Sequence, residues 1–305
     1  MTTFIVRRLF AMVITLWVVF TVSFFLMRSV PGGPFSSDRQ LEPEIEENIK
    51  RRYRLDLPIY DQYLSELSRA ARGDLGMSFR LGDFTVNQVI AQGLPISAAL
   101  GILALTFAIT LGLSAGIVSA VNRGSPLDMA LMSVATIGIA LPSFVIAGFA
   151  IMLFVFLIPI FPAAGWGTFR QLVLPAICLG ALYAAEIARI ARTSMLDVLS
   201  QDHVRTARAK GLSEFTVVMR HALPGAMLPI VSFLGPATAG ILTGSVVIEK
   251  IFAIPGLGWH FVQAALQRDY TLAMGLVLLY TVILFTMNFL VDLSYAILDP
   301  RVELN

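Results

Sequence analysis

Charge is what this chain of 305 residues most lacks: Asp, Glu, Lys and Arg make up 14% of it, against about 25% in an ordinary soluble domain. The apolar share is 57%, where about 45–50% is usual. A soluble globule of this size covers its surface with polar groups, and here there are too few, so lipid must solvate much of it. The net charge of +2 leaves no electrostatic footprint for nucleic acid. Cysteine is almost missing too. Cys178 is single and lies in an apolar run, which excludes a disulfide framework and a cysteine-based metal centre. No G-x-x-x-x-G-K-[ST] stretch occurs, so P-loop nucleotide binding is excluded.

What is present is long apolar runs. A helix needs roughly 20 apolar residues to cross a bilayer, and only helices or closed barrels satisfy their backbone there. Six spans are predicted: Leu9–Met27, Pro95–Asn122, Met132–Leu157, Leu172–Ala188, Ala226–Ile248 and Thr271–Val291. A loop rich in Pro and Gly, 158–167, follows the third. The fold class expected is an all-α polytopic membrane protein with six transmembrane helices. Three parts are expected: 1–27, the N-terminus and first span; 28–94, an external helical segment; and 95–305, a five-span core. Arg7 and Arg8 before an apolar run also suit a signal peptide, but no small-x-small cleavage site follows Arg28-Ser29-Val30-Pro31, so an uncleaved first span is expected.

Basic residues in short loops set orientation. With the N-terminus inside, one side holds Arg7, Arg8, Arg123, Arg189, Arg192, Arg205, Arg208, Lys210, Arg220 and Arg301, and the other Arg170, Lys250 and Arg268. Ten against three places both termini in the cytoplasm. In the external segment, Pro43 opens a helix whose stripe is Leu41, Ile45, Ile49 and Tyr53, with Glu46–Lys50 and Glu47–Arg51 pairs on its wet side. A second helix, Asp61–Arg72, is expected to bury Tyr63, Leu64, Leu67 and Ala71 and to stop at Gly73. The segment reads either as a cap on the membrane face or as a docking surface for an external partner.

Gly112-Leu113-Ser114-Ala115-Gly116 matches the G-x-S-x-G nucleophile pattern. A serine nucleophile needs a base, and His203, His221 and His260 all fall in loops or at membrane edges. Gly112 with Gly116, and Gly240 with Gly244, read better as small-xxx-small faces for close helix packing. No acid or lysine lies centrally in a span, Glu186 and Glu249 being near ends, so a buried proton relay is not expected.

The largest inner loop, 189–223, reads as two short helices at an elbow. Asp202 is available as the N-cap of the first, and Gly211 ends it. Ser213 caps the second, with Glu214 near its start, and Leu223-Pro224 is expected to stop it. Small Ala207 and Ala209 lie among basic residues, which suits insertion into a partner's groove or, equally, an ordinary positive-inside loop.

Arg205-Thr206-Ala207, Gly211 and Leu223-Pro224 together resemble the EAA loop of binding-protein-dependent ABC importers, with Arg205 where Glu is usual. Arg7-Arg8, Pro31-Gly32-Gly33-Pro34, Gly73-Asp74-Leu75-Gly76-x-Ser78, Ile254-Pro255-Gly256-Leu257-Gly258 and Leu298-Asp299-Pro300-Arg301 extend the resemblance to the B-type permease subunit of oligopeptide importers. The resemblance implies a bacterial inner-membrane protein and no cofactor in this chain. It also implies a second homologous permease, two cytoplasmic subunits that bind ATP and Mg, and an external peptide-binding protein. It implies that the elbow couples to the ATPase and that half the translocation path is built here. Dipeptides, nickel or glutathione are alternative cargoes, and an intramembrane hydrolase using Ser114 is the alternative of another class. Pro255, Gly256 and Gly258 suit an external gate or a rigid turn.

Overall fold

In the computed structural model, residues 2–29, 47–48, 51 and 53–298 are described, apart from the side chains of 2–3, 243–244 and 295–298. The Pro31–Pro34 motif, the Leu41–Ile49 stripe with its Glu46–Lys50 pair, the packing of Gly244, and Asp299-Pro300-Arg301 lie outside those residues. Among the described residues the structure is helical, with one isolated antiparallel bridge between Met77 and Thr85. The helices are α1 (Thr2–Ser29), α2 (Ile59–Ala71), α3 (Val86–Val121), α4 (Pro126–Ala140) and α5 (Ser143–Leu157). They continue with α6 (Phe169–Leu199), α7 (Asp202–Ala209), α8 (Glu214–Ile251), α9 (Leu257–Gln267) and α10 (Tyr270–Leu298).

Five of these, α1, α3, α6, α8 and α10, are long and apolar enough to cross a membrane. The third expected span is corrected. It is two helices, α4 and α5, bent by 109° at a short break. The cause is Pro142, whose ring disfavours helical backbone at the preceding residue. Leu141 accordingly sits at φ −91°, ψ 127°. Counting the bent pair as one gives six.

Local signals place the other ends. Thr85 N–H donates to Gln88 Oε1 at 2.9 Å, and Gln88 N–H donates to Thr85 Oγ1 at 3.2 Å. This reciprocal capping box starts α3 at Val86, so Pro95 falls inside the helix rather than at its start. Ser125 caps α4 by accepting from Asp128 N–H, with Pro126 in the first turn. Further corrections fall in the external segment. Glu47 and Arg51 do pair, at 2.6 Å, but Tyr53 lies in a turn, its ring against Phe79. On α2, Tyr63 and Leu67 are half-buried as expected, whereas Leu64 and Ala71 are exposed. Gly73 ends the helix region at φ 79°.

The chain forms two compact units, 1–97 with 255–285 and 98–254 with 286–305. In the second, α3 and α6 touch backbone to backbone. A Cβ on Gly112 would stand 2.5 Å from the Ala184 carbonyl oxygen, and one on Gly116 2.5 Å from Ala191 Cβ. Lipid tails are as apolar as leucine, so such close approach, through van der Waals contact, holds these helices where hydrophobic burial does not. Ser114 points the other way and is exposed. Gly180 meets the Ala104 carbonyl on the same interface, and Gly240 lies against Tyr183. At one end of this unit gather the last turns of α3 and α6 and the elbow. At the other, Gly165 N–H donates to Phe252 O at 2.9 Å, tying the 158–167 loop to the end of α8.

In the first unit, Val86, Val89, Leu257, Leu272 and Leu276 form the core. Asp269 binds the 73–80 loop to the start of α10: its carboxylate accepts from the Phe79 and Leu272 N–H groups at 3.0 and 3.1 Å and from the Ser78 hydroxyl.

Candidate functional site

A short elbow leaves α6 at Leu199 and enters α8. Helix α7 lies flat on the protein because Val204 and Ala207, three apart, are its buried side, while His203, Arg205, Thr206, Arg208 and Ala209 are exposed. Asp202 is not the cap that its type suggests; Gln201 occupies that position and Asp202 is the first helical residue, with a long, exposed contact to Arg205 at 3.5 Å. Thr206 Oγ1 returns to the Asp202 carbonyl at 2.9 Å. Gly211 turns the chain at φ 77°, where a Cβ would meet nothing within 4 Å, so backbone conformation alone favours glycine there. Ser213 then caps α8 as expected, accepting from Thr216 N–H.

The second arm does not stop at Leu223-Pro224. It widens into a π turn over Val217–Ala222 and runs on as one helix to Ile251. Pro224 falls in the first α turn after that bulge, where its missing N–H is not needed. The expected loop is therefore shorter than 189–223, since α6 is helical to Leu199. A movement of the elbow is thereby a movement of α8 itself.

Two side-chain contacts, three bonds in all, tie the elbow together. Arg208 grips Glu214 with Nε–Oε2 3.1 Å and Nη2–Oε1 2.5 Å, and His203 Nε2 lies 3.1 Å from the His221 carbonyl. Beneath them Val204, Ala207, Val217, Val218 and Ala222 pack on Met195, Val198 and Ala120. The outer side is different. Leu212, in the turn before α8, and Phe215 and Met219, within the helix, are 40%, 77% and 42% exposed.

Next to the elbow is a pair that sequence reasoning missed. Asp128, 3% exposed, receives both Arg192 Nε and Nη2 at 2.8 and 2.9 Å, the Ser119 hydroxyl, and Gly124 N–H at 2.9 Å. It clamps the α3–α4 turn to α6. The Ser125-Pro126-x-Asp128 start of a helix is legible, but nothing in the sequence joins it to Arg192, which counts there only as a topology charge. Three acids, Asp128, Glu249 and Asp269, are buried, each near a helix end and none centrally in a span.

The Pro255–Gly258 segment opens α9. Gly256 and Gly258 are buried and Pro255 is exposed. Leu257 N–H donates to Ser97 Oγ at 2.8 Å, and Leu257 fills the space over Gly93, where a Cβ would come within 2.9 Å of it. A cavity of about 260 Å³ in the first unit is lined by Phe20, Glu66, Arg69, Asp74, Met274 and others. Glu66 pairs with Arg28 and Asp74 with Arg69. Burial pushes the Glu66 carboxyl up and Arg28 pulls it back, while hydrogen bonds from Arg69 and the Gly76 N–H hold Asp74 below the usual carboxylate range.

A bundle of membrane-length helices, with the last turns of α3 and α6 gathered under the elbow, is the geometry to which the comparisons with known proteins attach. Residues 108–304 match the family described as binding-protein-dependent transport system inner membrane component, and residues 1–101 match the N-terminal membrane component of such systems. The chain belongs to this family. This permease is 44% identical over 302 residues to the oligopeptide transport system permease protein OppB of Haemophilus influenzae, covering 98% of this chain and 99% of that one. It is 43% identical to OppB of Escherichia coli K12, with the same coverage. It is 43% identical over 305 residues to the dipeptide transport system permease protein DppB of Bacillus subtilis, covering 100% and 99%. Among solved structures, the inward-facing MetNI methionine ABC transporter aligns with TM-score 0.61 at 17% identity, over 70% of the permease and 97% of that chain. An amino acid ABC transporter aligns with TM-score 0.51 at 18% identity, over 68% and 93%. These two likenesses show the fold of the permease. A hydrolase built on Ser114 is not favoured, since Gly112 and Gly116 serve packing and the serine faces away from that contact.

Proposed function

We propose that this chain is one of two homologous permease subunits of an ATP-driven oligopeptide importer, and that the Asp202–Pro224 elbow receives its drive. The single observation that carries this reading is the elbow's construction. An exposed apolar face (Leu212, Phe215, Met219) stands on a cluster shared with α3, α6 and α8, so force applied to the face reaches three helices at once. The named residues Arg205, Thr206, Ala209 and Gly211 flank that face, and Ala207 anchors it. Two cytoplasmic subunits bind ATP with Mg and close on it, and an external binding protein delivers the peptide. The N- and C-termini lie in the cytoplasm, and the segment at Pro255, Gly256 and Gly258 serves the opposite, external mouth. Full-length likeness to OppB supports oligopeptide as cargo. The equal likeness to a dipeptide permease makes dipeptides the second reading, and competition of labelled oligopeptide uptake by dipeptides separates the two.

The test is Phe215→Asp in the assembled transporter. Truncating a central aromatic anchor at an interface costs about 2 kcal/mol or more, on the order of 30-fold in affinity. ATPase subunits should dissociate correspondingly more readily, and ATP-dependent uptake should fall. Unchanged affinity together with unchanged uptake removes the elbow from the coupling role.

A further inference from the structure

The apolar stripe of α2 does not face the protein. At about 100° per residue, Tyr63, Leu67, Tyr60, Ala71 and Leu64 occupy one arc of the helix. The protein covers only one edge of that arc, Tyr63 and Leu67. The reason is electrostatic. Arg28, at the end of α1 and 13% exposed, donates to Gln62 Oε1 at 3.1 Å and to Glu66 Oε1 at 2.5 Å. Leaving a half-buried guanidinium unpaired is costlier than leaving leucine uncovered. Helix α2 therefore turns Glu66 and Gln62 inward, and its apolar flank is left outside. Tyr60 is 72% and Leu64 60% exposed.

That flank continues a surface already turned to lipid. Tyr63 stacks on Phe25 with ring centroids 5.6 Å apart. Its hydroxyl lies 2.9 Å from Thr21 Oγ1 and accepts from Trp17 Nε1 at 3.1 Å. Trp17 and Phe25 belong to the exposed apolar side of α1, together with Val22 and Leu26. Along α1, Thr21 lies about 11 Å from Arg28 at 1.5 Å per residue. This is close to the 5–10 Å by which interfacial amphipathic helices sink into a bilayer. Next round the helix from Leu64, Asp61, Ser68 and Arg72 are exposed and polar, the edge that water would take.

We propose that α2 lies in the membrane interface, its Tyr60–Leu64–Ala71 flank seated in lipid at the headgroup–acyl boundary of the leaflet at the C-terminal end of α1. The external segment is then neither a cap resting on the membrane nor, along this flank, a protein-docking surface. Tyr60 takes the place that aromatic belts hold in membrane proteins. The inference rests on α1 spanning the bilayer and not on the cargo.

The experiment uses the full assembled transporter in liposomes, with Cys178→Ala removing the native thiol. Leu64→Cys and Asp61→Cys each carry an environment-sensitive thiol fluorophore. Quenching is read from lipids brominated near the headgroup and from iodide in the water. Leu64→Cys should be quenched by the brominated lipid, and several-fold less by iodide than Asp61→Cys is. Equal iodide quenching at both positions would mean a flank in water. Protection of Leu64→Cys from both quenchers would mean that another protein subunit covers it. Either result overturns the proposal, and neither touches the importer reading, which is tested at Phe215.

Discussion

Asp128 and Arg192 are the residues on which the elbow end of the second unit turns. A carboxylate 3% exposed holds a guanidinium, a serine hydroxyl and a backbone N–H at once, so neither partner is replaceable alone. Removing one member of such a pair strands the other charge away from water, which makes it one of the costlier single changes a fold can suffer. Asp128→Asn should therefore lower the melting temperature of the purified transporter by several degrees, and Arg192→Gln should do the same. The double variant should lose clearly less than the two losses added, because the second change strands nothing further. Strict additivity would show that the contact is an exposed pair of no energetic weight. The pair also shows where sequence reading stops: Arg192 is visible as a charge, and the sequence holds nothing that chooses its partner 64 residues away.

At the scale of elements, what was legible is what local chemistry decides. The apolar runs, the Ser213 cap and the Gly73 and Gly211 terminations follow from single residues and short spacings. Thr85-x-x-Gln88 was equally legible as a capping box, and it sets the start of α3 earlier than hydropathy does. Pro142 carried the α4–α5 bend in the same way, through its effect on Leu141. Illegible were the π turn that lets α8 run through Pro224 and the rotation of α2 by Arg28, since both depend on tertiary partners. The coincidence of Gly112 and Gly116 with a nucleophile pattern is settled by their neighbours on α6, and it gives a test. Gly116→Leu must push against Ala191 Cβ and the Ala188 carbonyl, the latter 2.6 Å from where a Cβ on residue 116 would stand. Overpacking of this kind costs about 1–3 kcal/mol. Gly116→Leu should destabilise the assembled transporter in a thermal melt, while Ser114→Ala, on the exposed side, leaves both melt and peptide uptake unchanged. Loss of uptake in Ser114→Ala with a normal melt would return a chemical role to that serine.

The whole molecule has one orientation to get right, because the proposed coupling depends on which side of the bilayer the elbow faces. Two of the charges behind the ten-to-three count are tied up: Arg192 by Asp128, Arg208 by Glu214. The expected orientation is unaffected, since it follows Lys and Arg numbers and acidic residues contribute little. The packing adds an independent constraint. The elbow, the α3–α4 turn and the end of α6 share one cluster, so they lie on one side of the bilayer, and the 158–167 loop with the end of α8 lies on the other. A fluorescent protein that matures only in the cytoplasm, fused after Asn305, should therefore be bright. Alkaline phosphatase, which is active only outside, should be active when inserted at Gly82 and inactive when fused after Asn305. The opposite pattern would put Phe215 and the exposed elbow face outside the cell, beyond reach of any ATP-consuming subunit.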